Sequence, residues 1–108
     1  MKRGDFVTIA MQGDFGKPRP ALVIQADQFN ETHASVTVLL VSSEIIAAPL
    51  FRITINPDER NGLRKPSQVM VDKAMTVKRH RLGVSFGSAS DDVMLAINRS
   101  LAVFVGIA

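Results

Sequence analysis

One change in the spacing of apolar residues constrains the fold of this 108-residue chain more than any other sequence feature. Up to Val77, the apolar residues stand in short β-rich runs that are continuous or alternate with polar residues, as they do in strands. After Ser90, apolar residues recur at three- and four-residue steps, which is the spacing of one helical face. The sequence therefore predicts a mainly β fold with a C-terminal α-helix, in which the helix covers one end of a strongly curved sheet of five or six strands.

The β-rich runs predict five strands. They are residues 5–11, 21–25, 35–41, 50–55 and 68–71. The fifth strand continues at 75–77, past a kink or bulge around Asp72 and Lys73. Gly and Pro residues predict an irregular basic loop over 12–20 and a turn region over 57–66.

The predicted helix has a defined beginning and end. Ser90 followed by two aspartates is typical of an N-cap with acids that oppose the helix dipole, and Gly106 is suited to end the helix. The residues expected on its apolar face are Val93, Ile97, Leu101, Phe104 and Val105.

Length and residue types exclude several classes of protein. A chain of this length is expected to form a single domain over residues 1–108. The absence of Cys excludes disulfide scaffolds, thiolate zinc sites and cysteine nucleophiles, and it favours the reducing cytoplasm. With two His and scattered acids, we expect neither a metal ion nor another cofactor. No apolar run is long enough for a membrane span, so we expect no membrane association.

The positive charge of the chain is concentrated in one stretch. The formal net charge is +3. Between Arg60 and Arg81, seven Lys or Arg residues face a single acid, Asp72, so this stretch carries +6 and the rest of the chain carries −3. Such a stretch is either a binding surface for an anionic partner or a solvated face.

Two basic segments are candidates for binding phosphate groups. Lys17 and Arg19 alternate with prolines that fix the local backbone, so the Arg19 guanidinium would be ordered in advance for two parallel hydrogen bonds to a phosphate. Lys78, Arg79 and Arg81 form the second segment. Exposed loops and turns often carry such charges without a ligand, and spacing alone leaves both interpretations open.

Two further pairs could carry chemistry. Ser42 and Ser43 close the third predicted strand, where hydroxyls either satisfy the last backbone groups or act on a substrate. Asp72 and Lys73 lie at the predicted strand break, where they form either a surface ion pair or a site with a perturbed carboxylate. Trp and Tyr are absent, so stacking on a nucleobase would need Phe15, Phe29 or an Arg plane.

Three segments resemble the PemK/MazF family of toxins in order and spacing. They are KRGDFV at 2–7, GKPRPALVIQ at 16–25 and SQVMVDKAMTV at 67–77. The resemblance covers residues 2–108, and the chain closely resembles the PemK-type branch. It implies an SH3-like, partly open barrel of the PemK/MazF/CcdB type. It also implies a homodimeric, metal-independent endoribonuclease that cuts single-stranded mRNA at specific sequences and leaves 2′,3′-cyclic phosphate and 5′-hydroxyl ends.

The resemblance also implies partners and site residues. A cognate PemI/MazE-like antitoxin would inhibit the toxin by filling the RNA groove with a disordered tail, and DNA would be contacted through the antitoxin complex alone. The implied catalytic residues are Arg19, Ser42 and Asp72, although the general base stays open between Asp14 and Asp72. The implied RNA-binding residues are Lys17, Ser43, Lys73, Thr76, Lys78, Arg79 and Arg81.

Two alternative functions fit the same expected barrel. The first is a CcdB-like poison, which binds DNA gyrase and cuts nothing. The second is a noncatalytic SH3-like module that binds RNA. The Arg19 segment and the basic stretch favour the nuclease, because a gyrase poison needs no groove for phosphates.

Overall fold

A curled antiparallel sheet forms most of the fold in the computed structural model, which describes residues 1–10 and 17–108. Over these residues the sheet has six strands in the order β4-β5-β3-β2-β1-β6. The strands are β1 (Asp5–Ala10), β2 (Pro18–Val23), β3 (Ser35–Ser42), β4 (Arg52–Ile55), β5 (Ser67–Lys78) and β6 (Gly87–Ser88). The helices are α1 (Asp27–Asn30), a 3-10 turn (Arg79–Arg81) and α2 (Asp91–Phe104).

The longest strand, β5, changes its pairing partway along. Leu39 of β3 pairs with Ala74, whereas Val41 pairs with Val69, so residues 70–73 of β5 lie opposite Leu40 alone. This irregularity confirms the predicted kink around Asp72 and Lys73. Because extra residues in one strand bend it and increase its twist, β5 can pair with β3 along most of its length and with β4 near its beginning.

The chain that follows β5 returns to the outer edge of β1. Leu82 forms a bridge to Ile9, and the amide of Gly83 donates a hydrogen bond of 2.8 Å to the Thr8 carbonyl. The amide of Phe86 donates one of 2.9 Å to the Phe6 carbonyl. The returning segment covers an edge of the sheet, which confirms the predicted mainly β fold with a partly open barrel.

Apolar side chains are buried on both faces of the central strands. One cluster contains Phe6, Leu22 and Leu39 together with Ile97 of α2, and the other lies on the opposite face around Val23. Full burial of each large apolar side chain stabilises the fold by ~1.5–3 kcal/mol. The near-continuous apolar run of β3 reflects this burial on both faces.

The C-terminal helix begins and ends as predicted. The Ser90 hydroxyl accepts a hydrogen bond of 3.2 Å from the Val93 amide, and Gly106 has a φ of 83° immediately after the helix cap. The predicted apolar face was wrong at Phe104 and Val105, which are 52% and 55% exposed. The helix lies against β5 and the edge strand β4, and its last residues are not covered by the described residues of the sheet.

The prediction of an irregular loop through residue 20 was also wrong. β2 begins at Pro18, and Arg19 pairs with Ile9 of β1. Pairing between β2 and β3 starts only at Ala21, so both prolines lie where β2 has a single neighbouring strand and where a missing amide hydrogen is tolerated. Residues 12–16 of the predicted loop lie outside the described residues.

Across the described residues, no helix is both long and apolar enough to cross a membrane.

Candidate functional site

An open groove of about 880 Å³ lies where β1, β2 and the end of β3 meet the segment before β5. It brings together four residues that the sequence singled out, and we call it the groove. Its polar and charged lining residues are Thr8, Lys17, Arg19, Ser42, Ser43, Arg64, Lys65 and Ser67. Its other lining residues are Pro18, Pro20, Leu40, Val41, Gly62, Leu63, Met70 and Phe86.

Arg19 enters the groove from a fixed stretch of backbone. It is an exposed residue of β2, and it pairs with Ile9 across the β1–β2 ladder. The flanking Pro18 and Pro20 have locked φ angles, so less backbone entropy is lost when the segment is ordered. A guanidinium held in this way can direct two parallel N–H groups at one phosphate.

Ser42 lines the groove, and its hydroxyl accepts a hydrogen bond from the backbone. It is the last residue of β3, half-buried, and its Oγ accepts a hydrogen bond of 3.0 Å from the Glu44 amide. A hydroxyl has one donor and two acceptor positions, so its hydrogen can still be donated to a bound group. Ser43, the next residue, is exposed in the groove.

Buried Gln68 holds the chain that follows Ser43. Its Nε2 donates a hydrogen bond of 2.9 Å to the Ile46 carbonyl, and its Oε1 accepts one of 3.1 Å from the Ile46 amide. Both ends of the side-chain amide are therefore satisfied by one residue of the loop. This pair of bonds restricts the backbone just beyond the two serines.

Arg64 and Lys65 also line the groove, although they were not among the predicted site residues. They lie in a loop organised by buried Asn61, whose Oδ1 accepts hydrogen bonds from the amides of Asp58 and Leu63, at 3.2 and 3.0 Å. The Asn61 Nδ2 donates to the Asn56 carbonyl at 2.9 Å. In the sequence, Arg64 and Lys65 stood out only as members of the +6 stretch. Nothing local to them indicated that the fold places them in the same groove as Arg19.

Asp72, predicted to be catalytic, does not line the groove in the described part of the chain. Its Oδ1 lies 3.5 Å from Nε of Arg52, and the two side chains are 20% and 13% exposed. The expectation of a surface ion pair between Asp72 and Lys73 was wrong: the pair is largely buried, and the partner of Asp72 is Arg52. Asp14, the other candidate base, lies outside the described residues.

Thr76, Lys78 and Arg81 line a second cavity of about 340 Å³, separate from the groove. The Thr76 Oγ1 is 2.9 Å from that of Thr37, and Nη1 of Arg81 donates to the Ala10 carbonyl at 3.4 Å. The other lining residues are Ile9, Ala10, Met75 and Val77. Of the predicted RNA-binding residues, Lys17 and Ser43 therefore line the groove, and Thr76, Lys78 and Arg81 line the second cavity.

Arg79 and Lys73 line neither cavity in the described part of the chain. The Arg79 guanidinium donates two hydrogen bonds to the His33 carbonyl, at 2.6 Å from Nη2 and 3.2 Å from Nε. Lys73 is exposed on β5. Within residues 1–10 and 17–108, no three His, Cys, Asp or Glu side chains cluster closely enough to hold a metal ion.

The curled sheet, its C-terminal helix and the groove lined by Lys17, Arg19, Arg64 and Lys65 together define a small β protein with a cationic cleft. The chain matches the model of the PemK-like, MazF-like toxins of type II toxin-antitoxin systems over residues 2–105, and it therefore belongs to this family.

Several known proteins are similar to this chain. It is 45% identical over 109 residues to the "Probable endoribonuclease MazF" of Mycolicibacterium smegmatis, and the aligned region covers 100% of this chain and 99% of the relative. An endoribonuclease solved with its cognate antitoxin from a mycobacterial species has a TM-score of 0.83 at 21% identity, with 100% and 97% of the two chains covered. A MazE-MazF structure from Deinococcus radiodurans has a TM-score of 0.81 at 23% identity, with 100% and 97% covered. These solved structures share its fold.

Proposed function

We propose that this toxin is an endoribonuclease that cuts single-stranded mRNA in the groove, with Arg19 and Ser42 as its catalytic residues. Its 45% identity to a probable endoribonuclease along the whole chain supports the reaction class. The observation that carries the assignment is the presence of Arg19 and Ser42 in one open groove beside Lys17, Arg64 and Lys65. Four cations can hold an anionic strand, and the hydroxyl adds a directional donor at the same place.

The proposed reaction uses a nucleophile that RNA itself supplies. The 2′-oxygen attacks the adjacent phosphorus, the bond from phosphorus to the 5′-oxygen breaks, and a 2′,3′-cyclic phosphate and a 5′-hydroxyl form. The 2′-hydroxyl gives its proton to a general base or to water, and the leaving 5′-oxygen takes up a proton, so the number of protons is unchanged. Arg19 would stabilise the added negative charge on the phosphorus oxygens and assist proton delivery to the leaving oxygen. The Ser42 hydroxyl would donate to a non-bridging oxygen. These steps require no metal ion.

We assign Asp72 a structural contribution that can be separated from proton transfer. Its carboxylate faces Arg52 at 3.5 Å, and both facing atoms are buried. Loss of one partner leaves the other charge uncompensated. Asp72→Asn should therefore lower the melting temperature and leave kcat within about threefold of the unmodified protein. An unchanged melting temperature together with a kcat reduced by orders of magnitude would show that Asp72 takes part in catalysis.

An acidic antitoxin segment is the protein partner that the groove favours. Relatives of the same fold have been solved with a cognate antitoxin or as MazE-MazF. A flexible PemI/MazE-like tail that carries carboxylates would compete with RNA for Arg19, Arg64 and Lys65, and it would be ordered on binding. DNA would be contacted through that complex. We place the toxin in the cytoplasm, where mRNA is available.

A second copy of this chain is the partner that the apolar surface favours. Leu50, Val103, Phe104 and Ile107 are 78%, 64%, 52% and 81% exposed. The Ser100 hydroxyl donates a hydrogen bond of 2.6 Å to the Leu50 carbonyl, which joins the end of α2 to the segment before β4. Exposed apolar side chains gathered in this way are typical of an interface. A homodimer would bury them.

One assay tests the function directly. The purified protein is incubated with a long single-stranded RNA in EDTA, and the new ends are mapped. We expect cuts at discrete sequences with 5′-hydroxyl ends, formed far more slowly by the Arg19→Ala variant. Intact RNA together with inhibition of gyrase would favour a CcdB-like poison. Intact RNA that is bound in a salt-sensitive manner would favour a noncatalytic module.

A further inference from the structure

We propose that Phe86 is the base-stacking residue of the groove, where its ring holds the base of a nucleotide next to the scissile phosphate. The proposal rests on the proposed endoribonuclease function. It adds a residue that would determine the position of the RNA strand in the groove. Phe86 was not among the aromatic residues that the sequence suggested for stacking.

Phe86 lies in the same groove as Arg19 and Ser42. Among the described residues that line the groove, it is the single aromatic one, and it is 37% exposed. The chain has no Trp or Tyr, so an aromatic platform must come from Phe or His, and neither His33 nor His80 is among the described residues that line the groove. Phe29 is more exposed, at 46%, but it lies in α1 with its ring 6.2 Å from that of His33, away from the groove lining.

The Phe86 ring is held in place before any ligand binds. Its centroid lies 6.0 Å from that of buried Phe6, with an angle of 28° between the ring planes, and its amide donates a hydrogen bond of 2.9 Å to the Phe6 carbonyl. On another side it meets the backbone of Gly62, where an added Cβ would lie 3.0 Å from Cδ1 of Phe86 and would collide with its carbonyl oxygen. A ring fixed in this way loses little entropy when a base stacks on it.

The surroundings of Phe86 favour a nucleobase over an apolar side chain of a protein. Arg19, Arg64 and Lys65 line the same groove and would each attract a phosphate. Proteins that bind single strands combine cations that follow the backbone with aromatic rings that stack on the bases. The groove offers both kinds of contact within one open space. Its cations can bind phosphates, and the Phe86 ring can stack on a base.

A double-mutant cycle between protein and RNA tests the proposal. Substrates are prepared with an abasic nucleotide at each position around the mapped cleavage site. For the unmodified protein, we expect kcat/KM to fall about tenfold at one position next to the scissile phosphate. For Phe86→Leu, which keeps an apolar side chain, the same abasic substrate should lower kcat/KM less than about threefold. Phe86→Tyr should respond like the unmodified protein.

Phe29→Leu is the matched control, because it removes an exposed ring outside the groove and should keep the full abasic effect. A merely structural role of Phe86 would lower activity on every substrate equally. Persistence of the tenfold abasic effect in Phe86→Leu would therefore overturn the proposal.

A binding measurement covers the cases in which a variant does not fold or RNA is not cut. An RNA with a 2′-deoxy nucleotide at the cleavage site carries 2-aminopurine in turn at each flanking position. We expect the unmodified protein to quench its fluorescence at one position, and Phe86→Leu to lose that quenching where it folds. Absence of quenching at every position would overturn the stacking proposal. Absence of cleavage of any RNA by the unmodified protein would instead overturn the proposed function.

Discussion

The groove and the second cavity contain similar basic side chains in different surroundings. Arg19, Arg64 and Lys65 line the groove of about 880 Å³ beside Ser42 and an aromatic ring. Lys78 and Arg81 line the second cavity of about 340 Å³, where most of the other lining residues are apolar. In the groove the guanidinium extends from backbone flanked by two prolines, whereas in the second cavity Arg81 donates to the Ala10 carbonyl and the Thr76 hydroxyl is paired with Thr37. We therefore propose that both regions contribute affinity for an anionic strand and that catalysis takes place in the groove.

β5 explains how one basic stretch contributes to both regions. The strand begins at Ser67, which lines the groove, and ends at Lys78, which lines the second cavity. Its irregular pairing at residues 70–73 bends the chain between these ends. The +6 stretch therefore contributes to two surfaces, one near each end of β5. Variants that affect one surface and spare the other test this division.

The largest expected effect is that of Arg19→Ala. We expect kcat on a single-stranded RNA to fall about 100-fold or more, because the variant lacks the main positive group beside the developing phosphorane charge. Arg81→Ala, a matched change in the second cavity, should stay within about threefold. Initial rates of cleavage of a labelled oligonucleotide under saturating conditions measure both. If the kcat of Arg19→Ala lies within threefold of that of the unmodified protein, the groove is not the catalytic site.

The sequence predicted the strands and helix better than the site. Continuous apolar runs and the Ser90 cap are local signals, and the elements they predicted were found. The prolines beside Arg19 are a local signal too, and they pointed to its guanidinium although they also predicted a loop. Phe86 carries no local signal: it joins the groove because the chain after β5 returns to β1, and that return depends on contacts between distant residues. The partner of Asp72 was unpredictable for the same reason, since Arg52 approaches from another strand.

Ser42→Ala should have the next largest effect. We expect kcat to fall about tenfold, since the variant has no hydroxyl to donate to a charged oxygen. Ser42→Thr keeps the hydroxyl and should recover most of the activity. Ser88→Ala, which removes the hydroxyl contacted by Nε of Arg60 outside the groove, is the control and should leave kcat unchanged. If Ser42→Ala lowers the melting temperature but not kcat, its bond to the Glu44 amide is its whole contribution.

Salt dependence distinguishes the two surfaces as binding sites. Removal of one cation that binds a phosphate should reduce the slope of log affinity against log salt by about 0.7 for a single strand. The double variant Arg64→Ala/Lys65→Ala should lower the slope for a short oligonucleotide that spans the cleavage site and for a long one. Lys78→Ala/Arg81→Ala should lower it for the long RNA alone. Fluorescence anisotropy with RNAs that carry a 2′-deoxy nucleotide at the cleavage site gives these slopes. Equal effects of the two double variants on the short RNA would mean that both surfaces belong to one site.

Arg79 should show the smallest effect, and it tests whether a predicted RNA contact is instead part of the fold. Its guanidinium donates two hydrogen bonds to the His33 carbonyl, which join the 3-10 turn to the segment after α1. We expect Arg79→Ala to lower the free energy of unfolding by about 1 kcal/mol in urea titrations, because both bonds go to one acceptor near the surface. The neighbouring Lys78→Ala should leave stability unchanged. A reduced salt slope for Arg79→Ala with unaltered stability would instead assign Arg79 to RNA and extend the second surface across the turn.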